Sequence, residues 1–115
     1  MKLLLLFFAM AALMFAADIT GTWEFQVDSD MGSGTPTFTF KQADSQLTGT
    51  YRGALGEAPI TGKVDGDKVE FSFEVAPSGD KIAVKYSGTL DGATKMKGSV
   101  DFGGQAKGTF SATKK

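Results

Sequence analysis

The chain has 115 residues, of which 42% are hydrophobic and 22% charged, and its net charge is −1. This length is enough for one globular domain and too short for two, so we expect one core. The near-neutral balance argues against nucleic acid as a partner, and the lack of cysteine excludes both a disulfide framework and a lipid-attachment site.

The first predicted element is a signal peptide over residues 1–17. Its sequence, MKLLLLFFAMAALMFAA, is one lysine followed by an unbroken apolar run, which is typical of secretory signals. The run is shorter than the roughly 20 residues that a transmembrane helix needs. We therefore expect an exported protein, periplasmic or extracellular, with no stable membrane span after signal removal. Bulky Phe15 leaves the cleavage position open, and an uncleaved N-terminal anchor is the alternative.

Residues 18–115 are predicted to form a single all-β domain. Short segments of alternating apolar and polar residues are separated by turns rich in Gly, Asp, Ser and Pro, and no long helical period occurs. Connections this short predict consecutive hairpins and hence an up-and-down meander. The predicted strands lie near 20–28, 35–42, 45–53, 58–65, 67–76, 80–90, 95–102 and 105–113.

The alternation predicts one buried and one solvated face, because successive side chains of a strand point to opposite sides. A single eight-stranded sheet of this kind would leave two open edges and an uncovered core unless it closed on itself. We therefore predict an eight-stranded antiparallel up-and-down β-barrel. The residues predicted to face inward are Trp23, Phe25, Val27, Phe38, Phe40, Leu47, Tyr51, Ile60, Val64, Val69, Phe71, Phe73, Val75, Ile82, Val84, Tyr86, Leu90, Met96, Val100, Phe102, Ala106, Phe110 and Ala112.

A glycine repeatedly precedes an apolar or aromatic residue by two positions, as in TGTW at 20–23 and TGTY at 48–51. Glycine within a strand marks a bend or a close approach to the backbone. We interpret these residues as features of a sharply coiled barrel that makes room for its aromatic side chains, with Trp23 as the plug of one end. The inward glycines are Gly21, Gly49, Gly62, Gly88, Gly98 and Gly108.

The phrases ITGTW and LTGTYRGALGEAPITGKVD resemble the first half of the streptavidin and avidin barrel, and Gly-x-Trp on the first strand is also similar to the lipocalin signature. The resemblance covers residues 18–65 by motif and the remainder by strand pattern. It implies an eight-stranded barrel of the calycin type with a ligand cup at one end.

The biotin site of the avidin family does not carry over to this sequence. Tyr51 matches the family's tyrosine, but Phe25 stands where asparagine is expected and Gly53 where serine is expected. The later wall tryptophans are missing, because Trp23 is the only one. The lipocalin cysteines and C-terminal helix are absent as well. We therefore do not expect biotin binding.

Catalytic chemistry is poorly represented. The chain has no His and no Cys, which removes the commonest general base, nucleophile pairs and most transition-metal ligands. The carboxylates are predicted to lie outward or in turns, and not together in a cleft where acid–base catalysis would use them. We expect no enzyme activity, no cofactor and no metal. The carboxylates concerned are Glu24, Asp28, Asp65, Glu70, Glu74 and Asp101.

Two surface patterns are interpreted as structural. Asp28, Asp30 and Gly32 faintly resemble a calcium loop, but a third acidic position and the closing Glu are missing, so a solvated turn is preferred. A basic stripe on the late strands is interpreted as protection against aggregation rather than as a binding surface. Its members are Lys81, Lys85, Lys95, Lys97 and Lys107.

Two functions remain open. The first is a non-catalytic exported barrel that binds a small hydrophobic ligand in its lumen. The rival is a packed β module that acts through its surface or loops as an inhibitor, adhesion or accessory domain, with Met31 at an apolar loop tip. The sequence does not decide whether the lumen is hollow or filled. The predicted lumen residues are Trp23, Phe25, Phe40, Tyr51, Phe71, Phe73, Tyr86 and Phe110.

Overall fold

A computed structural model describes residues 18–30 and 32–115, so the predicted signal peptide and Met31 lie outside the described residues. All regular structure in the described residues is β-strand, and no helix there could cross a membrane. The strands are β1 (Gly21–Ser29), β2 (Gly32–Gly34), β3 (Thr37–Ala43), β4 (Gln46–Gly53), β5 (Gly56–Asp65), β6 (Lys68–Val75), β7 (Ile82–Leu90), β8 (Lys95–Phe102) and β9 (Ala106–Lys114).

The strands form a closed antiparallel barrel, as predicted. From β3 to β9 each strand pairs with the next, and β1 pairs with β3 on one side and with β9 on the other. The seam between β1 and β9 runs from the pair Trp23 and Lys114 to the pair Ser29 and Gly108. Each of the eight predicted strands agrees with an observed strand to within two residues at both ends.

The ninth strand arises because the second wall strand of the barrel is interrupted. β2 pairs with the end of β1 and β3 pairs with its beginning, so the two share one side of β1. Thr35 and Pro36 lie between them outside any strand, and the Pro36 carbonyl accepts a hydrogen bond from Phe25 N–H at 3.0 Å. Proline has no N–H for a ladder, which explains the break. The barrel thus has eight wall positions, one of them occupied by β2 and β3 in turn.

The predicted inner face is confirmed. Every residue expected to face inward is buried except Ile82, which is partly buried and packs against the core. Ile19 and Ala58 are buried as well, although neither was predicted. Outward residues alternate with the buried ones along each strand, for example in β6.

The inward glycines bring neighbouring strands close together. An added Cβ at Gly98 would collide with the backbone of Ser87 and Gly88 on β7, and one at Gly62 would collide with Glu70 and Phe71 on β6. Only at Gly88 is an aromatic ring the nearest obstacle, with Cζ of Phe110 2.8 Å from an added Cβ. The glycines therefore serve mainly the tight coiling of the wall.

Candidate functional site

One end of the barrel, the closed end, is sealed by side chains. Trp23 and Ile19 have no exposed surface, and the Trp23 indole Nε1–H donates a hydrogen bond to the Ile19 carbonyl at 2.9 Å. Ile19 N–H in turn donates to Oε1 of Gln42 on β3 at 3.0 Å. The short segment before β1 is thereby tied across the barrel end, which explains how Trp23 acts as a plug.

The middle of the barrel is filled by aromatic rings. Phe25 lies 4.5 Å from Phe38 and 5.0 Å from Phe110, measured between ring centroids. Phe71 stacks on Tyr86 at 5.0 Å and an angle of 8°. Spacings of this kind are those of favourable aromatic pairs. A through-going hollow lumen is therefore not present.

The opposite end, the open end, contains a cavity of about 390 Å³ that opens to solvent. Its volume falls within the range of about 300–1,000 Å³ that is usual for small-molecule sites. No lining residue carries a formal charge, and most of the side chains are apolar or hydroxylated. The cavity is lined by Val27, Ser29, Gly32, Ser33, Gly34, Thr35, Pro36, Tyr51, Ala54, Leu55, Tyr86 and Phe102.

Tyr51 is held in place at the inner part of this cavity by its ring and its hydroxyl. The ring stacks on Phe73 at 4.3 Å and is only 3% exposed. The hydroxyl oxygen accepts a hydrogen bond from Leu55 N–H in the β4–β5 turn at 3.1 Å. Burial raises the pKa of Tyr51, partly opposed by the bond from Leu55, so the phenol stays protonated.

Tyr86 contributes a second hydroxyl to the cavity. It is 2% exposed, and no hydrogen bond joins its hydroxyl to any of the described residues. Among the described residues, every side-chain oxygen or nitrogen that is fully shielded from solvent has a hydrogen-bond partner. Because the Tyr86 hydroxyl has no such partner, it is not fully shielded, and it contacts the cavity space. Burial, and secondly the nearby Tyr51, strongly raise the pKa of Tyr86.

The rim of the cavity is built by the β1–β2 hairpin. The Ser33 hydroxyl donates to Oδ1 of Asp28 at 2.9 Å, and Asp30 N–H donates to the Lys107 carbonyl at 3.2 Å. Lys107 N–H donates back to Oδ2 of Asp30 at 3.3 Å. Both carboxylates of the faint calcium pattern thus accept hydrogen bonds that fasten the hairpin to itself and to β9.

The structure divides the eight predicted lumen residues between three levels. Trp23 lies at the closed end. Tyr51 and Tyr86 line the end cavity. Phe25, Phe40, Phe71 and Phe110 pack against one another in the middle. Phe73 lies between the middle and the cavity, since its ring contacts Phe38, Tyr51 and Tyr86.

Sequence reasoning missed most of the rim. Thr35 and Pro36 lie in the interruption of the second wall strand, and Ala54 and Leu55 form the β4–β5 turn. The proline inside a predicted strand at 35–42 was the available signal, because proline demotes a strand. All five lysines of the basic stripe are exposed, and none of them lines the cavity. Lys81 lies in the β6–β7 connection, and Lys107 is next to the rim through its backbone hydrogen bonds with Asp30.

The fold is shared with redesigned barrels. The chain is similar to a redesigned beta barrel, b11L5F_LGL, with a TM-score of 0.69 and 19% identity over 84% of this chain and 91% of that one. It is also similar to a redesigned beta barrel, mFAP0, bound to DFHBI, with a TM-score of 0.62 and 18% identity over 84% of this chain and 98% of that one. A third barrel, mFAP1, also bound to DFHBI, has a TM-score of 0.61 and 15% identity over 84% of this chain and 94% of that one. No protein-family model and no curated protein matches the sequence.

Proposed function

We propose that the protein is an exported, non-catalytic barrel that binds a small, mostly apolar molecule in the cavity at its open end. The observation that carries the proposal is the cavity itself, about 390 Å³ in volume, open to solvent and lined without a charged side chain. Concave, largely apolar sites with a few polar groups are the usual form of small-molecule sites.

The placement of polar groups supports the proposal. The two hydroxyls of Tyr51 and Tyr86 lie at the buried part of the cavity, whereas Val27 and Phe102 add apolar surface. An apolar molecule would gain roughly 25 cal/mol for each Å² that it removes from water there. The hydroxyls would fix its orientation.

The similar barrels support the proposal at the level of fold. Two of them are described as bound to DFHBI, and they share this topology at less than 20% identity. The shared fold allows a ligand within a barrel of this size, but it does not transfer the ligand.

Native mass spectrometry after incubation with a lipid extract would test the proposal. We expect a one-to-one complex with a small molecule that is released at higher collision energy. The same spectra give the intact mass of the exported protein, which tests removal of the segment 1–17. Retention of Met1 in all exported protein would contradict signal cleavage, and a spectrum free of any adduct would contradict ligand binding.

A filled cavity provides the matched control. Val27 points into the cavity from β1, whereas its neighbour Gln26 is exposed on the outer wall. Val27→Phe should abolish the adduct, while Gln26→Phe adds an aromatic ring outside and should retain it. Equal adduct formation by both variants would place the ligand elsewhere.

The rival function keeps one observation in its favour, which is the ring-filled middle of the barrel. A packed core of this kind is what a module acting through its outer surface requires. The two functions give opposite results with Val27→Phe, because a surface-acting module would bind its protein partner unchanged.

A further inference from the structure

We propose that the cavity selects a neutral molecule that presents a carbonyl-type oxygen to the hydroxyls of Tyr86 and Tyr51. This inference rests on the proposed function and specifies the chemical class of its ligand. It follows from the hydrogen-bonding state of the two hydroxyls and from the charges around them.

The first step concerns Tyr86. Its hydroxyl is a donor and an acceptor, it belongs to a side chain that is 98% buried, and it has no partner among residues 18–30 and 32–115. A buried Tyr hydroxyl normally finds a partner. Since this one is in contact with the cavity, its partner is a cavity occupant.

The second step concerns Tyr51. Its oxygen already accepts the hydrogen bond from Leu55 N–H, so its free capacity lies mainly in the O–H proton. An accepted hydrogen bond also polarises the hydroxyl and strengthens it as a donor. Two donors therefore line the same cavity, and an acceptor oxygen on the ligand satisfies both.

The third step concerns charge. No Lys or Arg is among the described residues that line the cavity, so a carboxylate would enter without a counter-ion from them. Burial already raises the pKa of Tyr86, which means that its surroundings disfavour negative charge. An anionic ligand would meet the same desolvation penalty. A neutral carbonyl oxygen accepts the same hydrogen bonds without this desolvation penalty. Ketones, aldehydes, esters, amides and quinones all carry such an oxygen.

Three probes of nearly equal shape would test this inference. The neutral ketone 2-acetylnaphthalene carries the acceptor, 2-isopropenylnaphthalene lacks it, and 2-naphthoate carries a negative charge. Dissociation constants would be measured by equilibrium dialysis at pH 7 with protein purified after expression of the full chain. We expect the ketone to bind about tenfold more tightly than the hydrocarbon, as one additional hydrogen bond provides, and naphthoate to bind most weakly.

Tyr86→Phe is the decisive variant, because it removes only a hydroxyl that has no hydrogen-bond partner among residues 18–30 and 32–115. The preference for the ketone over the hydrocarbon should then fall well below tenfold, to the part that the remaining Tyr51 hydroxyl provides. Lys85→Ala, which alters the exposed neighbour on the outer wall, should preserve the tenfold difference. Preservation of that difference in Tyr86→Phe would overturn the assignment of Tyr86.

The probes separate this inference from the proposed function. Equal binding of the two neutral probes to the unaltered protein, or tightest binding of naphthoate, would overturn the carbonyl class while leaving a small-molecule site in place. Failure of all three probes to bind would contradict the proposed function and this inference with it.

Discussion

Each end of the barrel buries an aromatic side chain with one polar atom, and the two ends differ in whether that atom has a hydrogen-bond partner among the described residues. At the closed end the Trp23 indole donates to the Ile19 carbonyl, and the pair has no exposed surface. At the open end the Tyr86 hydroxyl reaches a cavity and has no hydrogen bond within the described part of the chain. The closed end thus satisfies its polar group within the protein, whereas the open end leaves one facing the cavity.

Removal of the Trp23 side chain, which plugs the closed end, should lower the stability of the protein more than any change at the open end. Trp23→Ala leaves a void at the closed end and should lower the free energy of unfolding by about 3–5 kcal/mol, the usual cost for a buried Trp or Phe. Denaturant unfolding followed by circular dichroism would measure it. Glu24→Ala, at the exposed neighbouring position, should cost about 0.5 kcal/mol or less. Equal costs for the two variants would mean that the closed end is not sealed by Trp23.

Alkaline pH should weaken the open end specifically. Burial raises the pKa of Tyr86, so above pH 10 the tyrosine ionises in the unfolded chain while it stays protonated in the folded one. The unfolded state then binds fewer protons, and the free energy of unfolding falls as pH rises. Tyr86 should contribute a loss of about 1.4 kcal/mol by pH 11. Urea midpoints at pH 8 and pH 11 would measure this loss, and Tyr86→Phe should be less sensitive than the unaltered protein. An identical pH response in both would contradict it.

Tyr51→Phe tests the hydroxyl that is already satisfied at the open end. It removes the acceptor for Leu55 N–H and should cost about 1 kcal/mol, the typical net value of one hydrogen bond. Hydrogen exchange at the Leu55 amide should accelerate together with this loss of stability. Unchanged exchange at that amide would show that the bond does not hold the β4–β5 turn.

Tyr86→Phe should have the smallest effect on stability. The substitution leaves no described residue without its hydrogen bond, so at pH 7 the free energy of unfolding should change by less than about 0.5 kcal/mol. The contrast with Tyr51→Phe is informative because the two substitutions delete the same atom. A cost above about 1 kcal/mol for Tyr86→Phe would reveal a protein partner and contradict an available donor.

Most of the fold could be predicted from the sequence because side-chain alternation in strands has a fixed period of two. That period fixed which residues face inward, from Trp23 in β1 to Ala112 in β9. Ile19 was missed because it precedes the first strand and reaches the core through hydrogen bonds to Trp23 and Gln42. The short strand β2 was missed because Gly32–Gly34 was interpreted as part of the turn between the strands predicted at 20–28 and 35–42.

The candidate site was only partly accessible to sequence reasoning. Alternation shows that Tyr51, Phe71 and Tyr86 face inward, but it does not show their heights along the barrel axis. That height depends on strand tilt and stagger, which are properties of the closed barrel. As a result, the sequence singled out both cavity tyrosines together with rings that fill the middle, and it did not distinguish them.

The seam between β1 and β9 has a consequence for the order of folding. It pairs β1 with β9 and joins Trp23 to Lys114. Every other pairing among the described strands joins two consecutive strands, or β1 and β3, which are separated only by β2. Closing so long a loop costs chain entropy that only the completed contacts repay, and non-local pairing of this kind slows folding. We expect the hairpins to form first and this seam last. Until β9 has been synthesised, the barrel cannot close and its apolar inner face remains uncovered, a condition in which incomplete chains are prone to aggregate.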